Sequence, residues 1–166
     1  MYERIKDVLL GIARGMEYLS SQNIVHRDLK PANIGFDDEG VKLFDFGFAR
    51  NVEECVPEEI CGSPRYLAPE VVAGKGYSLK VDVYSFGVLF FEVCSLEVPF
   101  KDHFDKEFYR RVVETELRPM DHLEPTVIPC PLIRSLIEEC WHTDAEKRPT
   151  FQEIVSRLED MLSSRE

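Results

Sequence analysis

"HRDLKPANIGFDDEGVKLFDFG", residues 26–47, gathers the most informative side chains of the chain into one short run. Two strand candidates, "NIGF" (33–36) and "VKLFDF" (41–46), flank "DDEG", whose Asp and Gly residues suit a hairpin turn. Polar residues stand at both ends of that hairpin. Asp28 is a carboxylate that can take a hydroxyl proton, and Lys30 is a point charge that can reach a phosphate. Asn33 offers a carbonyl oxygen to a hard cation, and Asp45 presents a second oxygen donor at the end of a strand. Gly47 lets the backbone turn sharply beside it. Each residue alone is an ordinary solvated turn residue. As a set they match what phosphoryl transfer needs: charge compensation, oxygen ligands for a metal and an acceptor that orients the attacking hydroxyl.

Outward from this run the sequence is helical. Upstream, Ile5, Val8, Leu9, Ile12, Met16 and Leu19 recur at helical spacing and predict a helix over about 2–21. Downstream, residues 47–68 show no periodicity and carry Pro57, Gly62 and Pro64, and a loop of that length is usually functional. "VDVYSFGVLFFEVCSLEVPF" (81–100) is the longest apolar region, but Asp82, Glu92 and Glu97 interrupt it. It reads as a helix near 80–97 buried on nearly all sides, not a membrane span. Further helices are predicted near 105–115, 131–140 and 150–163, the last opening on the capping box "TFQE". No repeat or low-complexity tract interrupts the pattern.

Composition narrows the function classes. The chain has 166 residues, 44% hydrophobic and 31% charged, which suits one globular domain. A net charge of −11 is a poor match for a phosphate backbone, so nucleic-acid binding is not expected. The five cysteines are odd in number and show no ligand spacing, and no Asn begins a glycosylation sequon. With no apolar leader either, the expected setting is cytoplasmic, away from membranes. His103, His122 and His142 read as surface or helix-edge residues.

"HRDLKPAN", "DFG" (45–47) and "APE" (68–70), in that order, resemble the signature of the eukaryotic protein kinases. "DVYSFG" (82–87), "CW" (140–141) and "RPTF" (148–151) extend the resemblance across roughly residues 2–162. It implies a predominantly α-helical C-terminal kinase lobe with a small β-hairpin, a catalytic domain over 1–163 and a short tail over 164–166. The implied activity is transfer of the ATP γ-phosphate to protein hydroxyls. Asp28 and Lys30 would be catalytic, Lys30, Asn33 and Asp45 would bind ATP, and Asn33 and Asp45 would hold Mg²⁺. Asp82 would hold the backbone at His26 and Arg27, and Glu70 would pair with Arg148. Lys30 and "GSPRYLAPE" (62–70) resemble serine/threonine kinases, with Ser63 contacting Asp28 and Lys30. "VDVYSFGVLFFEV" resembles the tyrosine-kinase-like group.

The sequence departs from the family pattern in three places. First, no glycine-rich phosphate loop or strand lysine precedes Asp28, since Gly11 and Gly15 lack a GxGxxG context. The expectation is a fragment of a full kinase, without its β-rich N-terminal lobe and so inactive alone. A catalytically silent interaction module is the alternative. Second, Gly35 stands where the family usually has leucine beneath the adenine, which predicts a shallow pocket floor. Third, residues 48–61 contain no Ser, Thr or Tyr but do contain Glu53, Glu54, Glu58 and Glu59. One of these is expected to pair with Arg27 in place of a phosphate, with a solvated acidic loop as the alternative, while Tyr66 stays open as a modification site. Cys55 and Cys61 are expected to be unreactive, with neighbouring glutamates raising their pKa.

Overall fold

Helix α4 (Lys80–Ser95) is the centre of the molecule, and its burial follows from its composition. Tyr84, Phe86, Val88, Leu89, Phe90 and Phe91 are at most 2% exposed, so apolar side chains surround the helix instead of forming one stripe. In the computed structural model, which describes every residue except His122, Leu123, Pro125, Arg165 and Glu166, other helices pack around this rod. Helix α6 (Pro131–Cys140) lies against it, at a crossing tight enough that a Cβ on Gly87 would sit 2.8 Å from Cys140 Cβ. Phe86 meets Phe90 and Phe151 edge-on, at ring centroid distances of 5.7 and 5.6 Å.

The first predicted helix forms with an added feature. It starts as α1 (Tyr2–Arg4), widens through one π turn (Ile5–Leu9) and continues as α2 (Leu10–Ser21). Its apolar face, including Ile5, Leu9, Ile12 and Met16, is buried, and α2 packs against α7 (Phe151–Ser163). Thr150 caps α7 by accepting from the Glu153 amide at 3.2 Å, while the Glu153 side chain accepts from the Thr150 amide at 2.7 Å. The sequence signature of the box is therefore realised in full. Helix α5 (Phe108–Glu114) is shorter than its charge pattern suggests, because turns occupy the residues before it. A single turn, α3 (Pro69–Val72), follows the long loop.

Two small antiparallel ladders flank the helices. The predicted hairpin is β2 (Ile34–Asp37) with β3 (Gly40–Leu43), in the register Ile34↔Leu43, Gly35↔Lys42, Phe36↔Val41 and Asp37↔Gly40. The turn is tighter than "DDEG" implies, since Asp37 and Gly40 join the ladder and leave Asp38 and Glu39 at the tip. The second ladder, β1 (Ile24–Val25) with β4 (Arg50–Asn51), has no counterpart in the sequence reading. Two-residue strands are too short to show alternation, and only tertiary pairing reveals them. Among the described residues no helix is long and apolar enough to cross a membrane. His103 and His142 are partly exposed, as expected, whereas His122 and most of the 164–166 tail lie outside the described residues.

Candidate active site

The loop between β1 and β2 carries Asp28, and buried groups behind it fix its shape. Arg27 adopts φ +67°, a left-handed conformation unusual for a non-glycine residue. The Asp82 carboxylate, 2% exposed at the start of α4, accepts the amides of His26 at 2.6 Å and Arg27 at 2.9 Å. Burial pushes the Asp82 carboxyl up, and these two amides oppose that shift. Directly opposite, a Cβ on Gly62 would lie 2.2 Å from the Arg27 carbonyl oxygen, so only glycine fits there. Strain of this kind persists where the surroundings over-determine the backbone.

The four residues singled out in the sequence divide into a tight cluster and an exposed donor. Asp28 is 5% exposed. Its Oδ2 accepts from Lys30 Nζ at 2.7 Å and from Asn33 Nδ2 at 3.1 Å. Lys30 Nζ also donates to Ser63 Oγ at 2.7 Å, and Asn33 Nδ2 to the Asp28 carbonyl at 2.8 Å. Asp28 Oδ1 is buried and has no hydrogen-bond partner among the described residues. Burial raises the Asp28 pKa, but hydrogen bonds and charge from Lys30, with Ser63 and Asn33, outweigh it and hold the carboxyl below its usual range. The cluster therefore presents an ionised carboxylate with one oxygen spent and one open.

Asp45 stands apart, exposed, at φ +55°, accepting only the Gly47 amide at 3.2 Å among the described residues. Its backbone is tied to the cluster through its neighbour, because the Phe44 amide donates to the Asn33 carbonyl at 2.9 Å. This donor chemistry fits a magnesium ion. Both Asn33 amide hydrogens are used on Asp28, which leaves its carbonyl oxygen available, and Asp45 adds a carboxylate with free lone pairs. No group of three or more His, Cys, Asp or Glu converges as a metal cage among the described residues. Two protein oxygens supplemented by phosphates and water is the arrangement magnesium favours.

The loop past Asp45 is ordered through Arg27, and the partner is Glu59. Arg27 Nη1 donates to Glu59 Oε2 at 2.8 Å and Nε to the Phe48 carbonyl at 2.6 Å, and the guanidinium lies 5.2 Å from the Tyr77 ring centroid. Tyr77 completes the junction, its hydroxyl donating to the Glu59 carbonyl at 2.6 Å. The sequence reading missed Tyr77, since nothing local connects it to a loop that folds back over it. The Arg27 hydrogen bond lowers the Glu59 pKa more than burial raises it.

Three expectations need adjusting. Gly35 leaves no void, because Phe44 occupies the space: a Cβ at position 35 would lie 2.2 Å from Phe44 Cε2. Tyr66 is not open to modification, being 9% exposed with its hydroxyl donated to Glu92. The Cys55 thiol is raised as expected, but burial is the main cause, with Glu59 a lesser one opposed by Arg27 and Arg50. The pair Glu70–Arg148 forms as anticipated, in a two-pronged contact of 2.6 and 2.8 Å.

Comparison with known proteins identifies the family. The family described as "Protein kinase domain" matches residues 2–158. A protein of Acanthamoeba polyphaga mimivirus named as a serine/threonine-protein kinase/receptor, R831, is 43% identical over 157 residues, covering 91% of this chain and 9% of its own. The Arabidopsis thaliana serine/threonine/tyrosine-protein kinase HT1 is 39% identical over 160 residues, 95% of this chain and 40% of that protein. Serine/threonine-protein kinase 12 of the same plant is 41% identical over 162 residues, 92% and 34% respectively. The chain thus spans between 9% and 40% of the length of these relatives.

Proposed function

The chain belongs to the protein kinase domain family, and from that premise we propose that it is the helical lobe of a serine/threonine kinase that moves the ATP γ-phosphate to protein hydroxyls. The observation that carries the reading is the unpartnered, buried Oδ1 of Asp28 beside a fully committed Oδ2. An unused buried carboxylate oxygen costs free energy unless a ligand completes it. A serine or threonine hydroxyl is the right size and polarity, and Ser63 and Lys30 mark where it enters.

In the reaction the hydroxyl oxygen forms a bond to the γ-phosphorus as the bond to the bridging β–γ oxygen breaks. ADP leaves, and the hydroxyl proton passes to Asp28 Oδ1. Asp28 orients the hydroxyl and accepts its proton as general base. Lys30 neutralises charge on the transferring group from beside Asp28. Magnesium, held by Asn33 and Asp45, would supply charge neutralisation for the phosphate oxygens. A glycine-rich loop and its lysine partner, expected in a longer protein, would cover the phosphates from the other side. The exposed Phe36, Phe46 and Phe48, at 64%, 49% and 43%, suit contact with such a lobe.

Calorimetry of Mg-ATP on the 166-residue chain tests the phosphate and metal site. Binding is expected, with loss in Asp45→Ala, and binding that survives Asp45→Ala rejects the site. In a protein carrying both lobes, Asp28→Asn should slow transfer to protein serine by about 10²–10⁴-fold, and an unchanged rate removes Asp28 from its role.

A further inference from the structure

Past the end of α4 the chain takes a strained path. The helix is closed by Leu96, whose amide donates to the Glu92 carbonyl at 2.8 Å and whose φ is +61°. Glycine or asparagine ordinarily fills this left-handed position, because a Cβ there crowds the following carbonyl. Phe100 repeats the departure at φ +56°. The Leu96 side chain is 70% exposed, so burial does not offset its strain, and Val98 and Val127 stand 52% and 37% exposed. Strain of this kind gathers at ligand clamps and switch regions, and exposed apolar side chains held together mark interaction surfaces. Arg65 ties the loop to the segment beside Ser63, with Nη1 donating to the Pro99 carbonyl at 2.7 Å and the guanidinium 4.2 Å from the Phe104 ring centroid.

Val98 and Val127 open onto a cavity that Phe91, Phe100 and Pro119 also line. Its volume of about 250 Å³ suits one large side chain, whereas a small-molecule site needs about 300–1,000 Å³. The charges around it leave only one sign uncommitted. Arg118 spends its guanidinium on the carbonyls of Trp141, Val112 and Leu117 and on the Thr143 hydroxyl, and Lys101 pairs with Glu97. Asp102 and Glu124 line the cavity too, and their carboxylates make no hydrogen bond or ion pair among the described residues. We propose that this cavity is a docking site for a basic segment of a partner protein. The segment seats one large apolar side chain beside Leu96, Val98 and Val127 and sets lysine or arginine against Asp102 and Glu124. The net charge of −11 draws such a segment in from a distance, and the apolar side chain, once desolvated in its pocket, holds it. Docking of this kind uses neither nucleotide nor metal, so it is measured apart from the phosphate site.

Fluorescence anisotropy on the 166-residue chain tests the site with three labelled nonapeptides. One alternates lysine and arginine around a central leucine, the second replaces that leucine by serine, and the third sets the leucine among glutamates. The basic leucine peptide is expected to bind about tenfold more tightly than the serine peptide, and the glutamate peptide not to bind. Val98→Ser should erase the leucine advantage. Asp102→Asn with Glu124→Gln should weaken both basic peptides several-fold, whereas Glu58→Gln, which removes an exposed and unpaired carboxylate from the long loop, should not. Leu96→Gly relieves the left-handed strain, so it should raise the urea midpoint and yet weaken the leucine peptide, a pairing that a purely structural role would not produce. Equal binding of the leucine and serine peptides, a glutamate peptide that binds as well as the basic one, or no binding by any of the three would overturn the site. So would a chain that sediments as a dimer and becomes monomeric with Val98→Ser, since the occupant is then a second copy.

Discussion

Arg27 shows how much one residue can hold when its backbone is strained and its side chain is buried. Its amide is fixed by Asp82, its carbonyl backs onto Gly62, and its guanidinium joins Phe48, Glu59 and Tyr77. Four stretches distant in sequence therefore meet on it. Glu59 gives the Arg27 guanidinium a negative partner from within the loop. Glu59→Gln should lower hydrogen-exchange protection across residues 52–61 several-fold while leaving α4 untouched, and unchanged protection there would remove Glu59 from the junction. The pH dependence has a definite sign. Arg27 holds the Glu59 pKa below the usual 4.5, so the contact contributes fully above that value and is lost as pH falls through the lowered one. Protection factors should stay flat above about pH 5 and fall as the pH drops through the lowered Glu59 value. The acidic partner was legible in the sequence as a set of four glutamates. Which one pairs was not, because the choice depends on how the loop folds back, and local sequence carries no such information.

Glycines decide how closely the elements approach. Helix α4 presses on the end of α6 at Gly87, where an added Cβ would meet Cys140 Cβ at 2.8 Å and the backbone of Trp141 and Cys140 at 3.2 and 3.3 Å. Alanine gains about 1 kcal/mol over glycine in a helix interior. Overpacking against a backbone that cannot give costs about 1–3 kcal/mol, so the clash wins. Gly87→Ala should lower the urea midpoint, whereas Gly11→Ala, which meets only the Val41 side chain at 3.0 Å on a small hairpin, should be near neutral. Equal midpoints for the two variants would show that the α4–α6 crossing relaxes freely. These contacts also explain why Gly11 and Gly15 sit in the first helix without forming a phosphate loop: they let β3 lie against α2. Helix positions and the hairpin were legible because periodicity and turn residues are local signals. The π turn at Ile5–Leu9 and the β1–β4 ladder were not, since both arise from packing between segments far apart in sequence.

At the scale of the whole molecule, Arg148 joins the long loop to the closing helices. It is 1% exposed, pairs with Glu70 through both terminal nitrogens, donates to the carbonyls of His142 and Lys80, and lies 5.2 Å from the Tyr84 ring centroid. The partnership was legible only through the resemblance, because 78 residues separate the two side chains and neither carries a local cue. Glu70→Ala strands a buried guanidinium, which costs about 3–5 kcal/mol. Against a total stability of about 5–15 kcal/mol, that loss should move the urea midpoint far down and expose α3 and the loop to proteolysis. Removing the charge as well, in Glu70→Ala with Arg148→Leu, should recover part of the loss. Recovery should be incomplete, because the carbonyls of His142 and Lys80 then lose their donor. If the double variant is no more stable than Glu70→Ala alone, the cost lies in those carbonyl contacts rather than in the unpaired charge. If Glu70→Ala unfolds at the midpoint of the unmodified chain, the pair does not join the two halves at all.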